Sequence, residues 1–232
     1  MKKQEKLFKE TMENIAHQWR QPLSQINSTV SVIDNILYEK NIQDPLLEEK
    51  LQEIEALTRY MSDTIDDFKN HFIENGKKEK IKLAILIKNA LSTVESGLKE
   101  NSIEVVLNLD KEYECECYAH QLKQILIVLL NNAKDALLDR NIFNAKIEVQ
   151  TFQQNGEYII KILDNAGGIT KSVKEKMFEP YYTTKHFSKG TGIGLYMAKK
   201  IIEGRHNGTL MVKNVGSGTE FTISLAKVID NE

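Results

Sequence analysis

The sequence predicts an α+β chain in two parts, a long antiparallel helical hairpin followed by an α/β sandwich. Three observations carry this. Apolar residues at Ile15, Trp19, Leu23, Ile26, Val30, Ile33 and Leu37 recur in steps of four and three, the stripe of one long helix. The same rhythm returns at Leu47, Leu51, Ile54, Met61, Ile65, Phe68 and Phe72, with Thr58 as its one polar position. Beyond about residue 80, helical periods alternate with paired runs of period two.

The first helix is expected over 3–38. Inside it Pro22 removes a backbone bond and sets its ring against the carbonyl of Gln18, which strains or kinks the helix. Residues 41–45 form a turn, with Asp44 as N-cap and Pro45 at the first helical position, and the second helix runs to 74. Two such helices leave much of their apolar stripes uncovered, so a two-fold dimer closing a four-helix bundle is expected. The polar segment 75–80 contains Gly76 and fits neither period, which makes it the boundary between domains at 1–75 and 80–232. In the second domain helices are expected over 83–99, 119–139 and 191–203. Strands are expected over 103–109, 114–118, 146–153, 158–163, 209–213 and 219–225, with Asn155-Gly156 as a hairpin turn. This order suits one mixed sheet covered on one face by helices.

Composition narrows the function classes. A net charge of -2 gives no reason to expect nucleic acid or an anionic membrane as partner. No apolar run approaches the length that spans a bilayer, and the charged first ten residues lack the apolar stretch of a signal peptide. A cytoplasmic protein is expected, or the cytoplasmic part of a membrane sensor. Cys115 and Cys117 are two apart in a strand, so their side chains run side by side, a poor geometry for a disulfide. With His120 nearby there is still no fourth ligand for a metal, and both read as small buried residues of a reducing compartment.

Four stretches carry chemistry. His17 lies two positions past Ile15, off the apolar stripe and near Pro22; taken alone it is an ordinary solvated histidine. Asn131-Asn132-Ala133-Lys134-Asp135-Ala136 places amides inside a very apolar helix, where they need partners. An amide oxygen there can ligate Mg²⁺, which takes hard oxygen donors shared with phosphates. Asp164-Asn165-Ala166-Gly167-Gly168-Ile169 puts a carboxylate at a strand end, able to accept from an exocyclic amine, beside glycines that allow close approach to a flat ring. Gly190-Thr191-Gly192-Ile193-Gly194-Leu195 opens a helix whose N-terminal N–H groups suit phosphate. Its spacing is neither the dinucleotide fingerprint nor a P-loop.

Taken in order, these stretches resemble the histidine kinases of two-component signalling over nearly the whole chain. Residues 12–23 resemble the phosphoacceptor box of the dimerisation and phosphotransfer domain, and 129–136 the N box. Residues 164–169 resemble the G1 box, 176–185 (K-M-F-E-P-Y-Y-T-T-K) the F box, 190–195 the G2 box, and 216–221 the closing strand motif. The resemblance implies an ATP site of the kind shared with gyrase and Hsp90-type ATPases. In it Asn132 holds Mg²⁺, Asp164 reads the adenine amine, Gly168 shapes the pocket, Gly192 and Gly194 cradle phosphate, and Gly190 belongs to the same nucleotide set. Asp135, Phe178, Lys185, Leu195 and Thr219 complete the nucleotide set, and 170–189 form the lid. It further implies that His17 takes the γ-phosphate and passes it to an aspartate on a response regulator receiver domain. Arg20 then steadies phosphate, and Gln21, one turn past His17, orients a water for phosphatase action.

Three positions depart from the family pattern. Gln18 stands where a carboxylate usually follows the histidine; it can fix the tautomer but is a poor base, so slower phosphotransfer is expected. Val128 replaces a common additional asparagine of the N box, and Ala166 replaces the first G1 glycine. The alternative these departures raise is a dimeric ATP-binding scaffold or response-regulator phosphatase with weak kinase activity.

Overall fold

The structure, a computed structural model, describes residues 2–73, 77–109, 113–185 and 192–226, with the backbone alone for 2–17, 59–60 and 63–73. The chain divides into two compact units, Met1–Asn75 with Thr183–Thr191, and Gly76–Tyr182 with Gly192–Glu232.

The first unit is the hairpin of α1 (Lys2–Glu39) and α2 (Pro45–Ile73). Asp44 Oδ1 accepts from the N–H groups of Leu46 at 2.9 Å and Leu47 at 3.3 Å, the capping bonds expected where Pro45 opens a helix. Pro22 does not end α1, which continues through it. The apolar stripes divide by heptad. Leu23 and Val30 are buried against α2, as are Leu51 and Thr58 against α1, with Trp19 and Met61 packed on Leu23. In the other heptad set Trp19 and Met61 turn in onto Leu23, whereas Ile26 and Ile33 on α1 and Leu47 and Ile54 on α2 face outward, each at least 36 % exposed. Thr58, the polar position in the register, belongs to the seam because its hydroxyl donates to Asn27 Oδ1 across the hairpin. Expected stripe positions Ile15, Ile65, Phe68 and Phe72 have side chains outside the described residues.

In the second unit come β1 (Glu79–Lys82), α3 (Leu83–Glu100), β2 (Glu104–Asn108), β3 (Glu114–Cys117) and α4 (Ala119–Asp139). They are followed by β4 (Lys146–Gln154), β5 (Glu157–Asp164), α5 (Lys171–Lys176), α6 (Gly194–Gly204), β6 (Thr209–Val215) and β7 (Gly218–Ala226). Five strands form a mixed sheet in the order β2-β4-β5-β7-β6, with β2 parallel to β4 and every other pair antiparallel. One expectation needs correcting: the described strands form two sheets. β3 leaves the main sheet and pairs antiparallel with β1, a strand hidden in the segment read as linker. E-K-I-K carries one apolar residue, so only its partner reveals it as a strand.

Inward-facing Ile147 and Val149 of β4, Ile160 and Ile162 of β5, and Phe221, Ile223 and Leu225 of β7 form the sheet side of the core. Leu86, Ile87, Ala90 and Val94 of α3, Leu122, Leu126, Leu129 and Ala133 of α4, and Met197 and Ile201 of α6 form the helical side. Asn155 and Gly156, at φ of 51° and 78°, make the β4–β5 turn of two left-handed residues that matches strand twist. Cys115 and Cys117 are buried, unbridged, on one face of β3.

His206, after α6, is buried edge-on against the Tyr118 ring, with centroids 5.6 Å apart, while the Arg205 guanidinium lies 4.1 Å over that ring. Burial, then the charges of Lys78 and Arg205, push its imidazole down to about 4 from its usual 6.5. Between those values the unfolded chain binds the proton and the folded chain does not, so this contribution to stability is present above 6.5 and lost as pH falls towards 4. We expect the second unit to lose about 3 kcal/mol from this group across that window. Urea unfolding at pH 7 and pH 4.5 should show this drop in the wild type and a smaller one in His206→Phe.

Candidate functional site

The strongest concentration of unusual geometry lies where β5 ends. Asp164 is 3 % exposed, and its Oδ1 accepts from the N–H of Ala166 at 2.8 Å and of Thr219 at 3.2 Å. Among the described residues Oδ2 takes no such donor. Burial pushes the carboxyl up from its usual value; the N–H groups of Ala166 and Thr219 and the charge of Arg140 act against that rise. A buried carboxylate with one oxygen committed to the backbone is a rigid acceptor for an N–H donor on a ligand.

The turn after Asp164 is held from several elements. Asn165 Oδ1 accepts from Lys146 N at 2.8 Å, and its Nδ2 donates to Asn144 O at 3.0 Å. Arg140, capping α4, donates through Nη1 to Ala166 O. Gly167 N donates to Ser217 O at 2.6 Å. Asn214 of β6 bonds both backbone groups of Ile169, accepting from its N–H at 2.9 Å and donating to its carbonyl at 2.8 Å. Gly168, at φ of 77°, is needed for this path. Gly218 is needed by proximity: a Cβ there falls 1.7 Å from the Asp164 carbonyl oxygen.

Asn132 and Asp135 lie half-buried on α4. Asn132 Nδ2 donates to Val128 O at 2.8 Å, which fixes which end of the amide is oxygen. Val128 packs against the start of α6, where a Cβ on Gly194 comes within 3.2 Å of its Cγ1. Gly192, at φ of 67°, sits so close to the Tyr181–Tyr182 peptide that a Cβ meets Tyr181 C at 2.4 Å. α6 begins at Gly194, later than the periodicity indicates, with no side-chain cap from Ile193, and the N–H groups of its first turn suit an anion. Leu195 follows in its first turn, half-buried. Phe178, just beyond α5, has the Lys199 ammonium of α6 4.7 Å over its ring. Thr170 caps α5, accepting from Val173 N at 3.3 Å.

The structure therefore brings Asn132, Asp164, Gly168, Gly192, Gly194 and Thr219 onto elements of one unit. Gly190 lies outside the described residues. Lys185 makes a local turn, its N–H donating to Thr183 Oγ1 at 3.1 Å. His17, Gln18, Arg20 and Gln21 lie on α1 of the other unit; Gln18 and Gln21 are exposed, Arg20 is half-buried, and the His17 side chain is outside the described set. Sequence reasoning missed Arg140 and Asn214, which hold the turn from 26 and 45 residues away and leave no periodic signal.

A separate groove of about 400 Å³ opens on the outer face of the sheet, lined by Phe152, Lys161, Met211 and Lys213 among others. There burial pushes the Glu220 carboxyl up, but Lys213 at 3.1 Å and Lys161 at 3.2 Å hold it below its usual value. Those charges satisfy one another, so the groove lacks the committed but unfilled acceptor of the Asp164 turn.

The family described as "Histidine kinase-, DNA gyrase B-, and HSP90-like ATPase" matches residues 117–229. The chain is 29 % identical over 223 residues to the signal transduction histidine-protein kinase AtoS of Escherichia coli (strain K12), covering 93 % of this chain and 34 % of that protein. It is 28 % identical over 225 residues to the two-component sensor PprA of Pseudomonas aeruginosa, covering 93 % of this chain and 24 % of that one. The chain thus spans only 34 % and 24 % of these relatives. Among solved structures, the nucleotide-free catalytic domain of histidine kinase ThkA superposes with a TM-score of 0.58 at 28 % identity, covering 65 % of this chain and 96 % of that one. Histidine kinase ThkA in complex with response regulator protein TrrA shares the fold, with a TM-score of 0.60 at 21 % identity over 96 % of this chain and 63 % of that one.

Gly218→Ala should displace the Asp164 carbonyl and destabilise the second unit by roughly 1–3 kcal/mol, as overpacking does. Thermal unfolding compared with Gly216→Ala, which is strained by its φ of 56° but meets nothing within 4 Å of an added Cβ, should show the larger loss at Gly218.

Proposed function

We infer that the chain is a two-component histidine kinase that phosphorylates itself on His17 from ATP, a reading supported by the histidine kinase-, gyrase B- and HSP90-like ATPase match at 117–229 and by its likeness to AtoS and PprA. The phosphoryl group then passes to an aspartate on a response regulator receiver domain. The observation that carries the reading is Asp164, a buried carboxylate whose Oδ1 is fixed by two backbone donors; its role is to accept from the exocyclic amine of adenine through Oδ2. Gly168 lets the backbone lie against the ring. Gly192 and Gly194 admit phosphate to the start of α6, and Gly190 and Leu195 are assigned to the same set by the motif. Thr219 acts through its N–H on Asp164, and Phe178 and Lys185 flank the nucleotide.

The donor chemistry suits Mg²⁺, since Asn132 brings an amide oxygen and Asp135 a carboxylate less than one turn apart on α4. When bound, Mg²⁺ neutralises charge on the phosphate oxygens. A ring nitrogen of His17 attacks the γ-phosphorus with its lone pair, and the bond from phosphorus to the departing ADP oxygen breaks. The proton on the other ring nitrogen leaves to solvent, since the Gln18 amide accepts a hydrogen bond but not a proton. Arg20 steadies the phosphoryl oxygens, and Gln21 orients a water on the regulator's acyl phosphate, which would release inorganic phosphate and restore the aspartate.

Val128 supports a second reading, a scaffold or phosphatase with weak kinase activity, because it sets an apolar side chain against Gly194, where phosphate is expected. Incubation with γ-labelled ATP and Mg²⁺ separates the two. Acid-labile, alkali-stable label that disappears in His17→Ala supports the kinase. ATP binding without label moves the assignment to the second reading, and absence of ATP binding sinks both.

The protein is also proposed to be a homodimer through the hairpin. Ile26, Ile33, Leu47 and Ile54 form an outward apolar heptad set on both helices, and a second copy buries it as a four-helix bundle. Sedimentation should give a dimer, and Ile33→Asp with Ile54→Asp should shift it to monomer; a wild-type monomer at tens of micromolar would refute the assembly.

A further inference from the structure

We propose that Asn214 is a positioning residue for base selectivity: its side-chain amide sets the backbone of the 164–169 turn so that Asp164 and Gly168 meet adenine in register. The inference rests on the ATP reading above and extends it to a residue outside the nucleotide set.

Both ends of one amide are matched to both backbone groups of one residue. Asn214 Oδ1 accepts from Ile169 N–H at 2.9 Å, and Nδ2 donates to Ile169 O at 2.8 Å. Ile169 is thereby fixed much as a strand neighbour is fixed, although it lies in no strand. The same amide fills the space above Gly168, where a Cβ falls 3.0 Å from Asn214 Cγ and Oδ1. Asn214 is also registered opposite Thr219 on β7, and Thr219 N donates to Asp164 Oδ1. One cross-strand pair therefore holds both ends of the turn: Thr219 at its carboxylate, Asn214 at its exit.

A purely structural role fits poorly. Asn214 is exposed, so water can replace either bond when the side chain is cut back, and a bond of that kind adds little net stability. What water cannot replace is the fixed separation between Asp164 Oδ2 and the backbone of Gly168. Phosphate contacts at α6 do not depend on that separation, whereas recognition of the base does.

The test uses the full chain with Mg²⁺, displacing a fluorescent ATP analogue with ATP and with GTP, and follows amide exchange at Ile169. In Asn214→Ala we expect Ile169 exchange to speed up and the Kd for ATP to rise on the order of tenfold, while that for GTP changes less than threefold. Asn214→Asp separates bonding from space filling. It keeps the volume against Gly168 but turns an oxygen towards the Ile169 carbonyl, so it should behave like the alanine variant. Unchanged ATP affinity in both variants, an equal loss for ATP and GTP, or an aspartate variant matching wild type overturns the proposal while leaving the ATP reading intact. Wild type that binds no ATP overturns both.

Discussion

The bond pair at Asp164 Oδ1 is the constraint on which the rest of the second unit converges. It ties the end of β5 to the turn that follows through Ala166 N, and to the start of β7 through Thr219 N. A carboxylate enters a low-dielectric position at a cost, and backbone donors offset it without needing a neutralising ion pair. The close contact of Gly218 with the Asp164 carbonyl, the Ser217–Gly167 bond and the Asn214–Ile169 pair all follow from bringing β6 and β7 alongside this one strand end. The sheet order makes that possible, because β5 lies between β4 and β7 and takes anchors from both sides.

The same unit shows how apolar packing and chemistry share one helix. α4 buries Leu122, Leu126, Leu129 and Ala133 on the core side and carries Asn132 and Asp135 at its half-buried margin. Asn132 holds its orientation by donating back to Val128 O within the same helix. Val128 in turn packs against Gly194, so the character of the α6 N-terminus is set partly by a residue of α4.

The hairpin follows a different logic. Its seam is made by residues one heptad apart, Leu23 with Val30 and Leu51 with Thr58, and the seam tolerates a threonine because Asn27 receives its hydroxyl. Ile26, Ile33, Leu47 and Ile54 stay exposed within the two helices. This is a geometric consequence of two narrow stripes, each wider than one partner can cover.

Periodicity alone determined the two long helices, their cap at Asp44, and most of the strands and helices of the second unit, because each is a local pattern repeated over many residues. The motif residues Asp164, Gly168, Asn132 and Gly192 were legible too, since glycines and polar groups in apolar surroundings stand out on the line. Tertiary structure alone decided that β3 pairs with β1, a strand with one apolar residue. It alone decided that α6 opens at Gly194, where Gly192 meets the Tyr181 backbone, and that Arg140 and Asn214 hold the Asp164 turn. Those outcomes rest on contacts between residues tens of positions apart, and a one-dimensional period carries no record of which distant group closes a hydrogen bond.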